Sequence, residues 1–86
     1  MAIPDFQSFM LPVLHLAANG PLRTAEAIAQ VSDAFNLSIA DRQEMLASGR
    51  QTRVANRVYW AFVHLTKAGL LRREARGIYG ITAEGQ

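Results

Sequence analysis

The side chains best suited to chemistry gather between residues 48 and 57, in the run Ser48-Gly49-Arg50-Gln51-Thr52-Arg53 followed by Asn56 and Arg57. The run carries three arginines and no acid. Arginine, glutamine and asparagine have the donor and acceptor geometry that matches guanine and adenine edges in the major groove of DNA, and arginine also grips phosphate through two parallel hydrogen bonds. A second basic group follows at Arg72, Arg73 and Arg76. The charge is unevenly spread. Residues 1–47 set Arg23 and Arg42 against Asp5, Glu26, Asp33, Asp41 and Glu44, a balance of −3. Residues 48–86 set seven basic side chains against Glu74 and Glu84, a balance of +5, so the net +2 is the sum of two unlike halves. Eight of the nine basic residues are arginine. This pattern predicts one positively charged face on a weakly acidic scaffold, with nucleic acid as its partner. Arginines that merely solvate a helix and a hairpin are the alternative.

Other chemistries lack their residues. Cysteine is absent, which removes disulfides, thiolate metal sites and cysteine nucleophiles. His15 and His64 are the two histidines, and neither has acids at metal-ligand spacing. The single lysine, Lys67, has no acid two residues before it, so the Asp/Glu-x-Lys core of many nucleases is missing. No glycine-rich phosphate loop and no nucleophile elbow occur. The chain is therefore expected not to be an enzyme by itself and to use no cofactor or metal. With 86 residues, half of them hydrophobic, it should make one globular domain with a modest core. No run of 18 apolar residues exists and the opening MAIPDF lacks signal-peptide character, so a cytoplasmic protein without a membrane partner is expected.

Four helices and a hairpin must position the basic residues. Phe6, Phe9, Met10, Val13, Leu14 and Ala17 recur at helical spacing, predicting a helix over 5–18 capped by Asp5, with a kink or break at Pro12. Asn19-Gly20-Pro21 stops it. Thr24 should cap a helix over 25–36 with an apolar face of Ala25, Ile28, Ala29, Val31 and Phe35. Ser38, three residues before Asp41, should open a short inserted helix over 39–46. The longest helix is expected over 51–68, burying Val54, Val58, Ala61, Phe62 and Leu65 and ending at Gly69. On its opposite side lie Arg53, Asn56, Trp60, His64 and Lys67, with Arg57 on the flank. Leu70–Glu74 and Gly77–Thr82 flank Ala75-Arg76 as a β-hairpin, with Arg76 at its tip. Thr82-Ala83-Glu84-Gly85 resembles the start of a further helix, as if the chain were part of something longer. The fold class expected is mainly α with a small hairpin: a winged helix-turn-helix with an inserted short helix, its fourth helix reading DNA and its hairpin wing meeting the backbone. Trp60 falls on the polar face. It could stack on bases, but an exposed tryptophan needs a cover, and Ile39, Met45 and Leu46 of the inserted segment are expected to supply one.

From Ile3 to Gln86 the sequence resembles the N-terminal domain of Mrr-type restriction endonucleases, through IPDFQSFMLPVLHLAANG, SGRQTRVANRVYWAFVHLTKAGLL and RGIYGITAEGQ. The middle block is the most specific of the three. The resemblance implies a winged helix that binds double-stranded DNA, methylated or otherwise modified, beside a separate nuclease domain that cuts it. It would place DNA contact on Ser48, Arg50, Gln51, Thr52, Arg53, Asn56 and Arg57, and it places Pro12 within the family's MLPVL stretch. The hairpin adds Arg73 and Arg76 from their charge and position. No nuclease domain lies within these residues, so cleavage is not carried over. Two alternatives stay open: a protein-interaction or dimerisation module using Tyr59, Trp60 and Val63, and a stand-alone transcriptional regulator, which would need a homodimer on a palindromic site.

Overall fold

A computed structural model describes residues 5–84. The chain is mainly helical and carries a small three-stranded antiparallel sheet. In order it forms α1 (Phe6–Ala17), β1 (Leu22–Arg23), α2 (Thr24–Ala34), α3 (Ile39–Gln43), α4 (Arg53–Lys67), β2 (Leu71–Ala75) and β3 (Ile78–Ile81). No helix among the described residues is long and apolar enough to cross a membrane.

The helices start where side chains satisfy free backbone N–H groups. The Asp5 carboxylate accepts from the Phe6 N–H at 2.7 Å, the Ser38 hydroxyl from the Asp41 N–H at 3.0 Å, and the Thr52 hydroxyl from the Ala55 N–H at 3.2 Å. They end where the backbone turns left-handed. Asn36 sits at φ 57° after α2, and Gly69 at φ 80° after α4. Leu37 and Leu70 then donate back to the Ser32 and Leu65 carbonyls, each at 3.0 Å. Arg42 locks the first of these ends. Its guanidinium donates to the Leu37 carbonyl (2.9 Å), the Ser32 carbonyl (3.2 Å) and the Asp33 carboxylate (2.7 Å).

The core is one cluster. Phe9, Val13 and Ala17 form the buried stripe of α1; Val54, Val58, Ala61, Phe62 and Leu65 that of α4; Ala27 and Val31 come from α2, and Leu22, Leu37 and Leu71 complete it. The α1–α4 packing is the most extensive between elements. Stacking of Phe6 on His64, with centroids 4.5 Å apart, extends it beyond the buried stripe.

Five expectations change. The helix over 6–17 runs through Pro12 without a break. Proline removes one hydrogen bond, to the Ser8 carbonyl, and Ser8 is exposed to water that can take its place. Thr24 is the first residue of α2 and not its cap; Arg23 holds the cap position and makes no side-chain cap bond. The Thr24 N–H instead donates to the Gly77 carbonyl at 3.0 Å. On α2 it is Ala27 that is buried, while Ala25 and Ala29 face solvent. α3 stops at Gln43, short of 46, and α4 starts at Arg53, past 51. The sheet also has a third strand. β1 pairs with β3 (Leu22 opposite Tyr79, Arg23 opposite Ile78), giving the order β1-β3-β2.

The hairpin itself is as expected, with Leu71 opposite Ile81, Arg72 opposite Gly80 and Arg73 opposite Tyr79. Between Arg73 and Ala75 the register shifts by a bulge at Glu74. Thr82 fastens the hairpin to the end of α4, its hydroxyl donating to the Gly69 carbonyl at 2.6 Å. Ala83 and Glu84 form a turn; the helix expected from Thr82 would continue outside the described residues, at Gly85.

Candidate nucleic-acid interface

Two groups of arginines approach α4 from its two ends of the sequence. The first is built by the connection between α3 and α4. Met45 pairs with Thr52 in an isolated antiparallel bridge, and Leu46 N–H donates to the Gln51 carbonyl at 3.1 Å. Gly49, at φ 70°, closes the loop between them. Ser48 and Arg50 therefore stand exposed on a tight loop, and Gln51 and Thr52 lead into the helix. The Ser48 hydroxyl accepts from the Arg50 N–H at 3.4 Å. Asn56 donates to the Gln51 side-chain carbonyl at 3.3 Å, and Arg57 donates to the Asn56 carbonyl oxygen at 2.9 Å. These bonds tie Gln51, Asn56 and Arg57 into one chain of polar groups along the first turns of α4.

Arg53 behaves differently from its neighbours. Its guanidinium pairs with the Glu44 carboxylate at 2.8 Å, and its own N–H donates to the Glu44 carbonyl at 2.8 Å. With Ala55 N–H bound to Thr52, two of the first three backbone donors of α4 are already satisfied within the chain. A carboxylate at a helix N-terminus also interacts favourably with the dipole. The helix start is thus a fixed junction with the inserted segment, and less open to phosphate than its sequence suggests.

The second group lies on the hairpin. Arg73 and Arg76, with Thr24, Gly77, Tyr79 and Tyr59 of α4, line a hollow of about 260 Å³ between the helix and the β2–β3 turn. Arg72 points elsewhere and meets Glu74 at 3.5 Å. Among the described residues, Arg50, Arg57, Arg73 and Arg76 make no ion pair. Of the nine residues singled out from sequence, seven thus cluster where α4 begins and two meet α4 across the hollow. Tyr59 and Thr24, which line the hollow with the second group, carry no charge or motif; α4 supplies the first, and the β1–β3 pairing fixes the second beside Gly77.

Trp60 corrects a sequence expectation. It is 43% exposed, and Ile39 and Met45, meant to cover it, are 74% and 45% exposed. The physical reason is the short α3: the chain turns back at Met45–Thr52 and ends at the start of α4, not over its middle. Trp60 instead sits in a surface row with Tyr59 (edge-on, centroids 5.8 Å apart) and His64 (6.3 Å). No group of three or more metal-ligating side chains occurs among the described residues.

Comparison with known proteins gives one family and one curated relative. The family profile described as the Mrr N-terminal domain matches residues 6–86. The type IV methyl-directed restriction enzyme EcoKMrr of Escherichia coli (strain K12) is 32% identical over 87 aligned residues, covering 99% of this chain and 28% of its own length. No solved structure matches. The match over nearly the whole described fold, including the loop, α4 and the hairpin, makes this chain a member of the Mrr N-terminal domain family.

Proposed function

We propose that the chain is a winged-helix module that binds double-stranded DNA and targets a restriction system to it, sequence- or modification-directed, with α4 as the recognition helix and the β2–β3 hairpin as the wing. One observation carries this reading: four arginines that make no ion pair among the described residues flank α4, Arg50 and Arg57 at its start and Arg73 and Arg76 across the hollow, while the acids concentrate in residues 1–47. Unpaired guanidiniums on one helix and its neighbouring turn suit phosphate contact on either side of a groove. Gln51, Asn56 and Arg57 supply the side-chain types that read base edges. Ser48 and Thr52 are proposed as backbone contacts. The similarity to a methyl-directed restriction enzyme supports a modified duplex as the target.

Catalysis is not assigned to these residues. In this reading the chain is the targeting part of a longer endonuclease, and the cut is made by a separate nuclease domain. Titrating the chain against unmodified, methylated and hydroxymethylated duplexes of one sequence separates the possibilities. Tighter binding to a modified duplex supports modification-directed targeting. Equal affinities leave sequence or shape as the guide, and no binding at low salt ends the DNA reading.

The exposed pair Tyr59 and Trp60, 48% and 43% accessible, favours a second reading, a protein-interaction surface. Salt distinguishes them, because apolar association is nearly indifferent to ionic strength while phosphate contacts are not.

A further inference from the structure

We propose that the hollow between α4 and the β2–β3 turn seats a single phosphodiester, with Arg73 and Arg76 as its cationic wall and the Thr24, Tyr59 and Tyr79 hydroxyls as its neutral donors. The proposal rests on the DNA reading for the source of that phosphate, though not for the existence of the site.

Four features converge on an anion. Among the described residues no acid lines the hollow. The one acid of the hairpin strands, Glu74, is carried off by the bulge: its carboxylate lies over Gly80, where any side chain would collide with it, and meets Arg72. Alternation up to the bulge puts Leu71 and Arg73 on one face of β2 and Arg72 on the other, where Glu74 meets it. The two tyrosines are held in place by their neighbours. Tyr79 packs on Phe62 with centroids 4.6 Å apart, and Tyr59 meets Trp60 edge-on. Thr24 and Gly77 form the third wall, joined by the Thr24 N–H to Gly77 carbonyl bond; Gly77, at φ 74°, gives the turn its backbone shape. Guanidinium forks and hydroxyl donors around one space are the donor set that phosphate oxygens accept from. At about 260 Å³ the hollow is smaller than the roughly 300–1,000 Å³ of drug-sized pockets, which suits a phosphate and its adjoining sugar. A phosphate held by both recognition helix and wing would fix the register of α4 on the duplex.

Amide NMR of the 86-residue chain tests this, in the wild type and in Arg73→Gln/Arg76→Gln, with a duplex, inorganic phosphate and a nucleoside as separate probes. Both arginines are exposed, so the double variant should keep its fold, and its unshifted core amides report that directly. With the duplex, the amides of Thr24, Gly77 and Tyr79 should shift together with those of residues 50–57. In the variant the first three should stay still while 50–57 respond. The slope of log affinity against log salt should fall by about one unit, the mark of one shared phosphate. A two-unit fall would mean two separate phosphates and would overturn the single seat. So would Thr24, Gly77 and Tyr79 remaining still in the wild type while 50–57 shift, or shifting unchanged in the variant. If the duplex moves neither set, the DNA reading fails, and inorganic phosphate decides the hollow alone: wild-type shifts absent from the variant sustain an anion site, and no shift removes it. Shifts caused by the nucleoside without phosphate would make it a base pocket and overturn the proposal.

Discussion

Arg53 and Arg57 look equivalent in the sequence, four residues apart on one helix, and the structure separates them. Arg53 is engaged with Glu44, so its loss removes a half-exposed ion pair worth about 1 kcal/mol or less, and a duplex would first have to break that pair. Arg57 and Arg50 carry no such partner. Arg50→Ala/Arg57→Ala is therefore expected to reduce duplex affinity at least tenfold, with a change in stability within about 0.5 kcal/mol, read by fluorescence anisotropy and thermal melts. Arg53→Ala should weaken binding less than that pair, and a larger effect would mean that Arg53 leaves Glu44 on binding. Trp60 gives a second contrast. A fully buried tryptophan costs about 3–5 kcal/mol on truncation to alanine, but one this exposed should cost about 1–2 kcal/mol. As the single tryptophan, it should emit at a solvent-exposed wavelength and be quenched by added acrylamide. A blue-shifted, protected emission would show that it is covered after all.

At the scale of elements, α4 was readable because its two faces differ so sharply. All five residues assigned to its inner face are buried, and Phe62→Ala should cost about 3–5 kcal/mol, enough to leave a domain of this size largely unfolded by circular dichroism. The Ser38 cap was equally legible, since a hydroxyl three residues before an acid is a local signal. Ser38→Ala should lower stability by about 1 kcal/mol in chemical denaturation. β1 was not legible: two residues, Leu22 and Arg23, have no period to detect, and only pairing with Tyr79 and Ile78 across more than fifty residues makes them a strand. That strand also sets Arg23 at the cap position and Thr24 in the first turn of α2, where its N–H donates to Gly77. The inserted segment was misjudged for a related reason. Helical propensity extends past Gln43, but the Met45–Thr52 bridge wins, and with it goes the cover expected for Trp60. The site followed the same rule. Residues 48–57 are contiguous and could be read, whereas Tyr59, Thr24, Arg73 and Arg76 meet only through the sheet.

At the scale of the molecule, the charge asymmetry becomes geometry. Acids are spent on holding the scaffold, Asp33 on Arg42 and Glu44 on Arg53, while among the described residues four of the arginines without an ion pair, Arg50, Arg57, Arg73 and Arg76, lie around α4 and the turn. The chain belongs to the Mrr N-terminal domain family and spans 28% of the length of its curated relative. The central claim is that this face binds duplex DNA through phosphates, and a salt series on one labelled duplex tests it most directly. With Arg50, Arg57 and the Arg73–Arg76 pair contacting about three phosphates, log affinity should fall against log salt with a slope of about −2.7, roughly a forty-fold loss between 50 and 200 mM. A slope near zero, or no binding at the lowest salt, would contradict the account.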